Sequence, residues 1–290
     1  MKKKPYKPKQ VKLGQYPNDW ITEIKYDGER NLLIIKDGKV IIKRHEGTQK
    51  TDFYPEIVEY IENNDIPNMV LDGEICILEN HRKANFSAMQ SRVNLQDDFK
   101  RKLLMQKHQV KFVAFDIIEY NNEDLREMPF GERRKILENE MSIKPITSFD
   151  KSGLLKTQAC DGKTSINLWK EVKELNLEGL VIKNPNVPYD WVKVKNWDED
   201  DFKIVGFGTL SPEAKRRGWI ISTIQLKDVE GKHVGKGMKF DCKYINYPQQ
   251  QHFINELVGK TAVIKYMKMK DSNGNYQAPR HPSLVKILEV

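Results

Sequence analysis

Lys25-Tyr26-Asp27-Gly28-Glu29-Arg30 decides how this chain reads. It follows a strand-like run, Trp20-Ile21-Thr22-Glu23-Ile24. Six residues bring together a lysine, a carboxylate, a flexible glycine and an arginine. A lysine amine at a strand end, facing a second cation, can act as a nucleophile toward phosphorus or a carbonyl. The same letters also suit a hairpin turn. Asp37-Gly38, between the strand-like runs Asn31–Ile35 and Lys39–Lys43, is such a turn. Asp-Gly recurs at 27–28, 37–38, 72–73 and 161–162, so the pair alone proves nothing. The fuller pattern Lys-x-Asp-Gly-x-Arg fixes four positions and arises by chance in roughly one chain in a few hundred of this length.

Further along, Leu71-Asp72-Gly73-Glu74-Ile75 reads as a strand, which points Asp72 and Glu74 to one face. Two such acids repel unless a cation or sugar hydroxyls lie between them. Phe115-Asp116 falls in the apolar run Val110–Glu119. Glu178-Gly179 opens the buried-type strand Leu180–Lys183. In Trp191-Val192-Lys193-Val194-Lys195 the two lysines share a strand face, a platform for phosphate or the guarded edge of a sheet. Gly162-Lys163-Thr164 imitates the end of a P-loop, but threonine at 157 stands where the loop needs glycine. Gly206-x-Gly208 lacks the third glycine of a dinucleotide fingerprint. His45, His81 and His233 read as surface or packing residues.

At 290 residues the chain can build one large domain or two modest ones. Hydrophobic content is 39% and mean hydropathy is −0.66. No run approaches the ~18 apolar residues of a membrane span. Six lysines in the first twelve residues have no apolar segment behind them, so export is not expected. They form a soluble tail or an arm for phosphates. The net charge of +8 favours a polyanionic partner. Cys76, Cys160 and Cys242 lack metal spacing and read as reduced thiols of a cytosolic protein.

Helices are expected after Asp52 as cap, with Ile57, Val58 and Ile61 on one face, and after Pro129, over Gly131–Glu140. Another is expected after Ser165, with Ile166, Trp169, Val172 and Leu175 along one side. Asn196–Asp201 reads as an acidic junction, a solvated loop or hinge. Beyond it, Phe202–Phe207, Trp219–Leu226, Thr261–Met269 and Ser283–Leu288 belong to a set of about five short strands, the pattern of a small OB-type barrel.

In order, these segments resemble the covalent nucleotidyltransferase superfamily and, within it, the ATP-dependent DNA ligases of compact phage type. The carrying matches are Lys25–Arg30, Arg44, Asp72-Gly73-Glu74, Phe115-Asp116, Glu178-Gly179 and Lys193-x-Lys195, with Pro279-Arg280-His281-Pro282-Ser283-Leu284 as the last motif. The resemblance implies an α+β fold: a nucleotidyltransferase domain of ATP-grasp-like antiparallel sheets with helices over 1–197, then an OB-fold barrel over 198–290. It implies Lys25 as the residue that takes up AMP, with Lys193 and Lys195 in support. Glu23 would read the adenine amino group, Phe115 stack on the base and Glu74 bond the ribose. Asp72 and Glu178 would hold Mg²⁺ or Mn²⁺. Arg30, Arg44, Lys215, Arg216, Arg217 and Arg280 would meet nicked duplex DNA. Lys193, Lys195, Arg30 and the metal are expected to disfavour the Lys25 ammonium. The implied protein is a monomeric ATP-dependent ligase in the cytoplasm, or the host cytoplasm if viral. Two readings stand beside it: an RNA ligase or capping-type nucleotidyltransferase, and a non-catalytic OB-containing nucleic-acid binder.

Overall fold

Alternating side chains explain the sheet at the centre of the first half. Along Met69–Cys76, the residues Met69, Leu71 and Ile75 enter one core cluster, whereas Val70 and Cys76 belong to others. The two-residue period therefore leaves Asp72 and Glu74 together on the opposite face from Leu71. This strand lies between Glu29–Lys36 and Lys111–Tyr120, both antiparallel to it. The pairing with Lys111–Tyr120 slips at two points. Asp72 faces Asp116 and Gly73 faces Ala114, so Phe115 is an extra residue. A bulge of this kind re-aims side chains. It takes Phe115 and Asp116 out of the core that holds Phe112, Ala114 and Ile117.

The computed structural model describes residues 6–95, 97–146, 153–160, 165–208, 212–218, 221–228, 239–246, 254–267 and 278–288. The chain divides into two compact units, Met1–Lys195 and Asn196–Val290. The first unit holds two sheets. The larger runs Lys39–Arg44, Glu29–Lys36, Met69–Cys76, Lys111–Tyr120, Leu154–Lys156, Lys144–Pro145, with Glu123–Asp124 beside Lys111–Tyr120. Asp37 and Gly38 take φ of 50° and 73°, the two left-handed positions that a tight hairpin requires. The second sheet runs Lys9–Gln10, Trp191–Lys195, Gly179–Lys183, Ile21–Ile24, Ala159–Cys160.

The helix Phe130–Asn139 joins the two sheets through adjacent arginines. Arg133 grips both oxygens of Asp116 on the larger sheet, each at 2.9 Å. Arg134 reaches Glu23 on the smaller one at 2.6 Å. Both arginines are buried.

Several local expectations change. Asp52 does not cap a helix. It sits in the short 3-10 turn Thr51–Phe53, and the helix Pro55–Glu62 starts at Pro55, whose fixed φ suits a first turn. The helix Ser165–Glu174 buries Leu168 and Val172, while Ile166 is exposed. From Asp198 onward the acidic junction is strand, and Tyr266 donates its hydroxyl to Asp200 at 2.5 Å.

The second unit is a closed barrel: Asp198–Phe207, Ile221–Lys227, Lys239–Asn246, Arg280–Leu288, Thr261–Met267. Every second residue fills it, as with Phe202 and Ile204, Ile224 and Leu226, Ala262, Ile264 and Tyr266. Lys239–Asn246 is the strand not read from sequence, although Phe240, Cys242 and Tyr244 alternate there. Lys2–Lys4, Gly162-Lys163-Thr164, Trp219, His233 and Met269 lie outside the described residues. Among the described residues, no helix is long and apolar enough to cross a membrane.

Asp116 has its carboxyl pushed up by burial, and Arg133 opposes that push. Arg133→Met leaves this acid buried without its main partner. The expected loss of unfolding free energy is about 3–5 kcal/mol, measured by urea denaturation. A loss below about 1 kcal/mol would show that the pair is not structural.

Candidate active site

Two close backbone approaches set the position of Lys25. A Cβ at Gly28 would lie 2.2 Å from the Ile75 carbonyl oxygen, so only glycine lets the Lys25–Arg30 turn press on the strand that carries Glu74. At Gly179 φ is +145°, and a Cβ would meet the Val194 carbonyl oxygen at 2.0 Å. That glycine brings Glu178 beside the lysine strand. The Lys25 N–H donates to the Gly179 carbonyl at 2.9 Å, which ties the two motifs together.

A cavity of about 240 Å³ opens there, lined by Glu23, Lys25, Arg30, Glu74, Phe115, Trp191 and Lys193 among others. Lys25 Nζ donates to Glu178 Oε2 at 2.6 Å, and Lys195 Nζ stands 3.5 Å from Glu178 Oε1. Burial pushes the Lys25 amine down, but Glu178 and then Glu74 and Asp27 outweigh it and raise it above its ordinary range. The direction is opposite to the depression expected from neighbouring cations, because the pull of these acids exceeds the effect of burial. At Lys193, burial, then Lys195 and Lys25, push the amine down. Glu74 is pushed up to about 8 by burial, against the pull of Lys25.

Arg30 is held as a fork. Its Nε and Nη2 donate to Asp72 at 3.0 and 2.7 Å, and its Nη1 to the Tyr6 carbonyl at 2.9 Å. The guanidinium carbon stands 5.2 Å from the Phe115 ring centroid. His45 Nε2 lies 3.2 Å from Asp72 Oδ1, so it belongs to this site rather than to the surface. Burial pushes the Asp72 carboxyl up, but Arg30 and His45 hold it below its usual range.

Asp72 therefore has both oxygens bonded by Arg30, and Glu178 has both beside lysines. Among the described residues no cluster of three His, Cys, Asp or Glu could hold an ion. A carboxylate offers about four acceptor directions, so Asp72 and Glu178 keep lone pairs for an ion or its waters beside these partners.

Glu23 is buried, with Arg134, Thr157 and Lys183 around it. Arg44 faces Asn31 in the hairpin register, so its side chain leaves the sheet on the face opposite to Arg30; there it pairs with Glu29, which also accepts from the Tyr54 hydroxyl at 2.5 Å. The structure thus brings together Glu23, Lys25, Arg30, Asp72, Glu74, Phe115, Glu178, Lys193 and Lys195, whereas Arg44 is on the other face of the larger sheet. Lys215, Arg216, Arg217 and Arg280 belong to the second unit. The first three are exposed at the end of the helix Pro212–Arg216, with Arg217 paired to Glu213, and Arg280 opens the last barrel strand.

Lys183, Trp191, Arg134, Thr157 and His45 were given no place in the site from sequence. Lys183 carried a local signal: a lysine two residues after Val181 in a buried-type strand faces the same way. Its amine is pushed down by burial and sits 4.9 Å from the Phe115 ring centroid.

Residues 1–199 match the family described as ATP dependent DNA ligase domain. The chain belongs to the ATP-dependent DNA ligases. Among curated relatives of this ligase family, the SPbeta prophage-derived DNA ligase-like protein LigB of Bacillus subtilis is 30% identical, over 65% of this chain and 66% of its own. The DNA ligase of Methanococcus aeolicus is 27% identical, over 90% of this chain and 49% of its own. The chain spans about half to two thirds of the length of these two relatives. A solved structure described as a structure-function analysis of Lig E DNA ligases, with DNA binding by a minimal scaffold, aligns at TM-score 0.64. It is 16% identical and covers 98% of this chain and 100% of that one. The ligase domain of M. tuberculosis LigD aligns at 0.54 with 18% identity, covering 97% and 92%. These likenesses establish the fold, a nucleotidyltransferase domain followed by an OB-like barrel.

Glu74 supplies a pH test. Its folded value of about 8 lies above the ordinary 4.5. The unfolded chain releases this proton first, so the contribution is whole below 4.5 and is lost as pH rises to about 8. Thermal unfolding of Glu74→Gln and of the parent should coincide near pH 4.5, and the variant should gain steadily up to pH 8. A constant difference across that window would contradict the assignment.

Proposed function

We propose that this chain seals 5′-phosphate/3′-hydroxyl nicks in duplex DNA with ATP as the source of AMP. The observation that carries this reading is the half-buried Lys25 amine, 2.6 Å from Glu178 in a cavity that also holds Lys193, Arg30 and Phe115. Lys25 Nζ attacks the α-phosphorus, a phosphoramidate N–P bond forms, and the bond to pyrophosphate breaks. The short hydrogen bond gives the leaving ammonium proton a path to Glu178. Lys193 and Lys195 place positive charge where the phosphate gains negative charge. Phe115 offers a face to the base and Glu74 an acceptor for the ribose. A divalent ion, Mg²⁺ or Mn²⁺, would supply charge neutralisation and would enter on the triphosphate, since this ion is commonly held by substrate phosphates.

AMP then passes to the 5′-phosphate of the nick, and the 3′-hydroxyl attacks that phosphorus and expels AMP. Arg30 and Arg44 are the residues of the first unit proposed to orient the nicked strand. Lys215, Arg216, Arg217 and Arg280 are proposed to meet the duplex from the second. In this reading the chain works as a monomer in the cytoplasm, where ATP and nicked DNA meet.

Incubation with α-labelled ATP and a divalent ion, followed by a denaturing gel, tests the first step. The parent should carry label, and Lys25→Ala should lose label and nick sealing together. Sealing that survives in Lys25→Ala with ATP would refute the nucleophile. Label from GTP alone would move the chain to capping-type chemistry, and nicks with RNA on either side would fix the strand type. Lys193→Ala should lower single-turnover adenylylation by about 10²–10³ with the fold unchanged. An unaltered rate would remove Lys193 from the reaction. Nick binding should weaken steeply between about 50 and 200 mM salt, and salt-independent binding would count against phosphate contacts.

A further inference from the structure

Arg134 lies 111 residues along the chain from Glu23, and no part of the reaction outlined above uses it. Its side chain is nonetheless committed at every nitrogen. Nη1 donates to Glu23 Oε1 at 2.6 Å and to Thr157 Oγ1 at 2.7 Å. Nη2 donates to the Thr157 carbonyl at 2.5 Å, and Nε to Glu138 at 2.8 Å. The Thr157 hydroxyl in turn donates to Glu23 Oε1 at 2.9 Å. On the other oxygen, Lys183 Nζ stands 2.7 Å from Glu23 Oε2. Glu23, Thr157 and Lys183 all line the cavity that holds Lys25.

A carboxylate offers about four acceptor directions. Arg134 and Thr157 occupy both of those on Oε1, and Lys183 occupies one on Oε2. These contacts leave a single acceptor direction. They also prevent the carboxylate from rotating, because Arg134 is itself tied to Thr157 and Glu138. An acceptor held this way takes one N–H donor in one orientation. Adenine presents such a donor in its exocyclic 6-amino group. Guanine places a carbonyl oxygen at the same ring position, which would set acceptor against acceptor.

We propose that Arg134 and Thr157 are positioning residues that lock the Glu23 carboxylate as a fixed acceptor for a 6-aminopurine and thereby set the choice of nucleotide base. The proposal rests on the adenylylation reading above. It differs from a purely structural clamp between helix and strand in one respect. A clamp changes the use of every nucleotide equally, whereas a positioning network changes only the nucleotide that bears the amino group.

The test compares ATP with purine riboside triphosphate, which lacks that group, in single-turnover formation of the Lys25 adduct by the full chain. The parent should prefer ATP by about tenfold or more in kcat/KM, the worth of one buried hydrogen bond. Arg134→Met should bring the preference to near unity by raising KM for ATP, with kcat and the constants for purine riboside triphosphate unchanged. Thr157→Val, which preserves shape and removes only the hydroxyl, should lower the preference part of the way. Arg134→Lys, which keeps a cation, should restore part of what Arg134→Met loses. The proposal is overturned if the preference persists in both Arg134→Met and Thr157→Val, or if the variants lose both nucleotides by one factor. Adduct formation by the parent with neither nucleotide would instead overturn the adenylylation reading beneath it.

Discussion

The hydrogen bond from Lys25 to Glu178 joins the end of one strand to the start of another, inside a cavity where an unpaired charge is costly. Its neighbours repeat the arrangement: Lys195 on the far oxygen of Glu178, Arg30 and His45 on Asp72, Arg134 and Lys183 on Glu23, Arg133 on Asp116. Buried ion pairs of this kind add little net stability, but the removal of one member leaves a stranded charge. The strands around the pocket are therefore held in register by charge as much as by apolar packing. The same acids hold the Lys25 amine above its ordinary range and so favour its charged form. In the proposed reaction the nucleophile is latent until a phosphate-bearing ligand competes for its neighbours.

Local pattern carried much of the architecture. The Asp37-Gly38 hairpin, the shared face of Asp72 and Glu74, and the alternating core of the barrel all follow from a two-residue period and from turn chemistry. The cluster around Lys25 came instead from the resemblance to the ligase family, carried by short motifs in a fixed order. The acidic residues 198–201 misled by composition: they are strand because Phe202 and Ile204 continue into the barrel core and Tyr266 satisfies Asp200. Asp52 misled because a proline three residues later starts the helix more strongly than a side-chain cap.

What sequence did not disclose is long-range pairing. Arg134 reads as one more charge on a helix, and only the fold shows that it points inward to Glu23. His45 carries no signal of its distance to Asp72, and Asp72 none of its engagement by Arg30. The charge state of Lys25 depends on which of several nearby acids and cations is closest, a matter of ångströms that no motif encodes.

Arg133 and Arg134 are consecutive, so their side chains leave the helix about 100° apart. One enters the larger sheet through Asp116, the residue after Phe115, and the other enters the smaller through Glu23. The helix axis thus acts as a common shaft. Any rotation of it would shift the backbone at Phe115 and the carboxylate of Glu23 at the same time, so the two walls of the pocket cannot be adjusted independently.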